Sequence, residues 1–175
     1  MKKILTVFAL IAVITAGTAF ADHPDGFGVG IQVGGGGTWD SGKFAIQKGL
    51  AFSLKLPSFP VYWAIDLEID SGFTYIGVSG DYYFIDAVLV KDIGLNWYLG
   101  FGAGASIGIA DDYFGLSAVA RLPVGLSWQL PLNAGPLNAF EVYLQVVPSV
   151  GARITPGFKF PAGGWPINLG VRLWF

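Results

Sequence analysis

Ile167-Asn168-Leu169-Gly170-Val171-Arg172-Leu173-Trp174-Phe175 is the stretch whose reading decides the fold. Ile167, Leu169, Val171, Leu173 and Phe175 alternate with Asn168, Gly170, Arg172 and Trp174. A period of two sends the first set to one face of a strand and the second to the other. One face is wholly apolar. The other carries an amide, a glycine, a guanidinium and an indole. The apolar row ends on an aromatic residue.

The same alternation recurs upstream. Eight segments can be read, at about 26–34, 44–56, 61–70, 73–85, 94–107, 114–130, 139–151 and 165–175. In the third, Val61, Trp63, Ile65, Leu67 and Ile69 oppose Tyr62, Asp66, Glu68 and Asp70. Between segments lie turn formers: Pro57 to Pro60, Asp70-Ser71-Gly72, and Pro131 to Asn138. No segment holds a 3.6-residue period between helix caps. The expected fold is one all-β domain, an eight-stranded antiparallel up-and-down transmembrane β-barrel.

The start of the chain has a different character. Met1-Lys2-Lys3 is positive, Ile4 to Ala16 is apolar but too short to span a bilayer as a helix, and Ala19-Phe20-Ala21 is an A-x-A cleavage site. Residues 1–21 are therefore expected to be a cleaved signal peptide, and 22–175 the barrel. Export makes cytosolic cofactors poor candidates. With Lys2 and Lys3 removed, eight basic residues face twelve acidic ones, a net of −4, which argues against nucleic acid. Cysteine is absent, so there is no disulfide framework and no thiol chemistry.

Alternation alone does not say which face points outward, because a soluble lipocalin-like barrel has the same period reversed. Charge decides. Only 13% of the chain is charged, although 53% is hydrophobic, too little charge to coat the outside of a soluble barrel. The polar faces carry mostly Gly, Ser, Ala, Tyr and Gln. Aromatics near the strand ends form two expected girdles: Phe84, Trp97, Trp128, Phe140 and Phe175 at the inner side, Trp39, Phe44, Phe73, Tyr113 and Trp165 at the outer. The apolar face is expected to meet lipid. The outer connections are expected at Gly35–Gly42, Ser71-Gly72, Gly108–Tyr113 and Ala152–Gly164.

The interior of an eight-stranded barrel is about filled by its side chains. The expected lumen network is Lys55, Tyr62, Asp66, Glu68, Asp81, Arg121, Glu141 and Arg172. Both signs are present, as a low-dielectric interior requires. Counting out from the turns predicts a Lys55–Tyr62–Asp81 row and a Glu141–Arg172 pair, with Arg121 meeting Asp66 or Glu68. The network is expected to serve as polar glue closing the barrel or, alternatively, as a gated proton or ion path.

Other patterns promise less chemistry. Gly37 to Lys43 copies seven positions of a Walker A loop, but Phe44 stands where Ser or Thr must hold magnesium. Gly100 to Ala105 loosely matches a dinucleotide fingerprint inside a strand, and its glycines read as lumen space. Asp66, Glu68 and Asp70 share a face and could bind calcium, although pairing or solvation is the simpler reading. The only histidine, His23, falls next to the expected mature N-terminus and is expected to be disordered. Barrel enzymes place a histidine beside a serine or carboxylate in the wall, so no enzyme activity, cofactor or metal is expected.

Asn168, Gly170, Leu173 and Phe175 resemble the C-terminal assembly signal of bacterial outer-membrane barrels. The whole mature chain resembles the OmpA transmembrane-domain and OmpX type. Trp97 to Gly108, Gly115 to Trp128 and Phe140 to Gly151 resemble OmpA-like barrel proteins of spirochaetes. The resemblance implies a monomer in the bacterial outer membrane, with lipid and the barrel-assembly machinery as partners. No peptidoglycan-binding segment is expected, so wall tethering is not carried over. Three functions stay open: a structural or surface-exposed barrel with an extracellular protein ligand at short outer loops, OmpW-like binding or passage of a small hydrophobic molecule, and a soluble periplasmic carrier.

Overall fold

The computed structural model describes residues 23–24, 26–39, 44–46 and 49–175. The expected signal peptide, and Asp40 to Lys43 of the Walker-like stretch, lie outside the described residues. The segments are β1 (Gly28–Thr38), β2 (Phe44–Ile46), β3 (Leu50–Lys55), β4 (Val61–Asp70), β5 (Phe73–Val90), β6 (Leu95–Ala110), β7 (Tyr113–Arg121), β8 (Val124–Ala134), β9 (Leu137–Val146), β10 (Ser149–Thr155) and β11 (Lys159–Trp174). A short 3₁₀ turn, Lys91–Ile93, joins β5 to β6.

These segments make eight wall strands, because β2 with β3, β7 with β8, and β9 with β10 each run along one stave. All pairings are antiparallel, and β1 closes on β11 from Gly28↔Trp174 to Thr38↔Gly164. Both ends of the wall therefore lie at one mouth, here termed the inner end. The backbone of Phe27 and Phe175 seals that seam with two hydrogen bonds, 3.2 and 2.8 Å.

The breaks within staves have a local cause. Pro123 and Pro148 sit at the β7–β8 and β9–β10 junctions, where a missing N–H interrupts the ladder. Neighbours still use the proline carbonyls: Gly100 N–H donates to Pro123 O at 2.9 Å, Leu122 N–H to Pro148 O at 2.9 Å, and Val147 N–H to Pro166 O at 2.8 Å. A second irregularity lies in β5, whose register against β6 slips between Tyr83 and Ile85. The extra residue is a β-bulge, and it changes which residues beyond it face inward.

The outer connections are shorter than their sequence suggests. Gly34 to Thr38 and Lys159 to Gly164 are wall, paired strand to strand. The Gly-rich stretch reads as loop, but its glycines admit close backbone approach. A Cβ on Gly36 would stand 2.6 Å from Pro166 Cα, and one on Gly37 would stand 2.6 Å from the Trp165 ring. The hairpins turn at Ser71-Gly72 and Asp111-Asp112, with Gly72 at φ 74°.

Large apolar side chains cover the outside. Phe101 is 56% exposed, Leu169 51% and Leu144 47%, while Glu141 is 0% and Arg172 3% exposed. A monomer in water rarely shows a continuous apolar belt of this extent. The arrangement is that of a lipid-facing barrel with a polar interior, the reverse of the soluble carrier.

Candidate functional site

The lumen is built in layers, and the inner layer is the densest. Glu141 and Arg172 are register partners on β9 and β11. Arg172 Nη1 donates to Glu141 Oε2 at 2.7 Å, and its Nε and Nη2 reach Ser53 Oγ at 3.2 and 2.8 Å. The Glu141 carboxylate accepts three more bonds, from Trp174 Nε1 at 2.8 Å, Ser127 Oγ at 2.9 Å and His23 Nε2 at 3.1 Å. The guanidinium lies between aromatic rings, 4.7 Å from Tyr143 and 5.0 Å from Tyr62. Tyr62, Tyr83 and Tyr98 stack in sequence, with centroids 4.2 and 4.3 Å apart.

His23 is the correction to the sequence reading. It is not disordered: it is 6% exposed, inside the inner mouth. Its ring Nδ1 is paired with Asp86 Oδ2, and its backbone N–H donates to the same oxygen at 3.1 Å. Tyr62 and Tyr98 pack edge-on against the imidazole. Burial by itself would lower its pKa. The Glu141 charge and the hydrogen bonds to Asp86 and Glu141 outweigh burial and raise it to about 9. The imidazole is therefore a cation at neutral pH, clamped between two carboxylates.

Strict alternation turns Asp86 outward, and only the bulge after Tyr83 brings it in.

The middle layer holds Asp81 and Arg121. Arg121 Nε and Nη2 each donate to Asp81 at 2.9 Å, a bidentate pair. The expected partners, Asp66 or Glu68, are not the ones used. Asp81 and Arg121 both pair with Gly102, one on each side. A Cβ there would come within 2.1 Å of Asp81 Oδ1, so the glycine opens the path between them. Lys55, Tyr62 and Asp81 share one row of the register. Lys55 Nζ donates to Leu56 O at 3.0 Å and lies 5.6 Å from the Tyr62 ring.

The outer layer is open. A cavity of about 160 Å³ reaches down to Arg121, Asp66 and Ser79. Above it a vestibule of about 570 Å³ is bordered by Glu68, Arg153 and Lys159. The lumen is thus filled at the level of Glu141 and Arg172, with a further recess of about 380 Å³ at the inner mouth beside Asn96, Gln129 and Ala139. Asp66, Glu68 and Asp70 do not converge: Asp70 Oδ1 accepts the Ser71 N–H at 2.8 Å at the turn. Among the described residues no group of three or more His, Cys, Asp or Glu could hold a metal.

The residues of the C-terminal motif divide by face. Asn168 is buried in the lumen, and Gly170 lies under the Tyr143 ring, where a Cβ would meet Cζ at 2.3 Å. Leu173 and Phe175 point outward, and the Phe175 ring lies 6.0 Å from that of Phe27.

No protein-family model matches the sequence, and no curated protein matches it. Among solved structures the chain is similar to Neisserial surface protein A, at 16% identity and a TM-score of 0.51, covering 85% of this chain and 97% of that one. It is also similar to the N-terminal β-barrel domain of Pseudomonas aeruginosa OprF, at 16% identity and a TM-score of 0.48, with the same 85% and 97% coverage. Identity this low speaks for the fold alone. The closed ring, the apolar exterior and the likeness to the Neisserial barrel together give this chain the fold of the small eight-stranded outer-membrane β-barrels.

Proposed function

We propose that the chain is a non-enzymatic, integral barrel of the bacterial outer membrane, structural and surface-exposed, whose lumen does not conduct. The supporting observation is the sealed inner layer, where Glu141, Arg172, His23 and Asp86 lock together among stacked tyrosines. Ions entering from outside meet an ion-pair floor and then this plug. Ser127 donates to Glu141 rather than to His23, and Ser127 and Glu141 are 0% exposed, so no serine nucleophile meets a substrate there. Passage of a hydrophobic molecule fits poorly with a lumen lined by carboxylates, hydroxyls and amides.

A protein ligand would have to use the outer turns. Phe158 and Phe160 are 76% and 67% exposed at that rim and supply the apolar contact such a partner needs. The test has two parts. Membrane fractionation with heat-modifiable gel mobility should place the folded chain in the detergent-extracted outer membrane. Planar bilayers containing it should then show no stepwise conductance at neutral pH. An aqueous, unshifted protein, or reproducible channel steps, contradicts the proposal.

A further inference from the structure

We propose that the outer half of the lumen binds a small zwitterion, its ammonium group seated at Asp66 and Ser79 and its carboxylate facing Arg153. The inference rests on the reading of the chain as a folded barrel with an outward-open lumen. Its first support is the register. Asp66 pairs with Gly77, Gly77 with Ser106, Ser106 with Ser117, Ser117 with Arg153, and Arg153 with Lys159. One continuous row around the wall thus begins at a carboxylate and ends at two cations. Between them stand only a glycine and two serines.

The void follows from those small residues. The deep cavity of about 160 Å³ and the vestibule of about 570 Å³ share Tyr75, Ser106 and Ser117 as walls, so they form one stepped recess. Gly77 keeps the recess open beside the acid, because a Cβ there would stand 3.2 Å from Tyr75 Oη and 3.3 Å from Asp66 Oδ2. The Ser106 and Ser117 hydroxyls bond each other at 2.6 Å across the wall.

The second support is what the floor leaves unsatisfied. Ser79 Oγ is buried, lines the cavity, and has no hydrogen-bond partner among the described residues. Arg121 is committed to Asp81 through two bonds, so the negative charge left over at the floor belongs to Asp66. Its carboxylate accepts no hydrogen bond from the described residues. A half-buried carboxylate beside an orphan hydroxyl calls for a cation that also donates hydrogen bonds. An ammonium does both. The described residues gather no donor set for a metal. Arg153 at the rim favours a molecule whose outer end is anionic, which separates a zwitterion from a diamine.

Three six-carbon probes of matched length test this: 6-aminohexanoate, 1,6-diaminohexane and adipate. Each is titrated by calorimetry into full-length protein in detergent micelles, after heat-modifiable mobility has shown that the sample is folded. The zwitterion should bind most tightly, the diamine more weakly, and adipate not at all. Asp66→Asn keeps the shape and removes the charge, and it should weaken 6-aminohexanoate by about tenfold or more. Arg153→Gln should weaken the zwitterion and leave the diamine unchanged or tighter. Ser79→Ala, which removes only the orphan hydroxyl, supplies a further variant should Asp66→Asn fail to fold, and it should weaken both amines. Adipate binding as tightly as the zwitterion, Asp66→Asn binding like wild type, or folded protein binding none of the three overturns the proposal. A wild-type chain that shows no heat-dependent shift overturns the barrel reading beneath it instead.

Discussion

Glu141 is the residue on which most of the inner layer converges, and its loss is the most informative single change. It accepts bonds from Arg172, Trp174, Ser127 and His23. Glu141→Ala leaves a buried guanidinium and a buried imidazolium short of charge, and should cost about 3–5 kcal/mol by urea unfolding in micelles. The double change Glu141→Leu with Arg172→Leu should cost less than Glu141→Ala alone, because it removes both charges together. His23 gives a pH test. Its folded pKa, about 9, lies above the ordinary 6.5, so its contribution is complete below pH 6.5 and fades as pH rises through about 9. The groups facing it are Asp86, Glu141, Arg172, Tyr62, Tyr83, Tyr98 and Trp174. A histidine ring signal that titrates near 9 in NMR, and reverts toward 6.5 in Asp86→Asn, is the expected result. At this scale the sequence was legible where residues sit in register, as for Glu141 with Arg172. It was silent for His23, which belongs to no strand and has no register to count.

At the scale of the element, alternation locates every stave but not its ends or its faults. A carboxylate beyond a bulge, as at Asp86, changes face without any change in composition. Pro123 and Pro148 split staves that hydropathy reads as continuous. The glycines are legible as space, and the structure says for what. Gly125 accommodates the Tyr98 ring, Gly170 that of Tyr143, and Gly102 the Asp81–Arg121 pair. Gly170→Ala should therefore destabilise the barrel by about 1–3 kcal/mol through overpacking. Adding Tyr143→Ser should recover part of that loss, measured as the urea midpoint of the unboiled gel form. Without recovery, Gly170 matters as part of the C-terminal motif rather than as room for a ring.

For the whole molecule, one prediction concerns current and one concerns orientation. Wild-type protein should be silent in bilayers, while His23→Ala with Asp86→Ala should pass ions intermittently through the loosened inner end. Silence in that double variant assigns the block to Glu141 and Arg172 alone. Fold class was legible at this scale because a lipid-facing exterior and a narrow lumen impose opposite chemistry on alternate residues. The half-empty lumen was not, since the depth to which side chains fill a barrel depends on bulges and rotamers rather than on period. The most direct test of the inside-out arrangement uses the cysteine-free background, with single spin labels at consecutive positions from Phe140 to Val146 in reconstituted membranes. Labels at Val142, Leu144 and Val146 should collide with lipid-soluble oxygen and be shielded from a water-soluble nickel chelate, while those at Tyr143 and Gln145 should meet neither. Ready access of the chelate to Val142, Leu144 and Val146 would contradict the account.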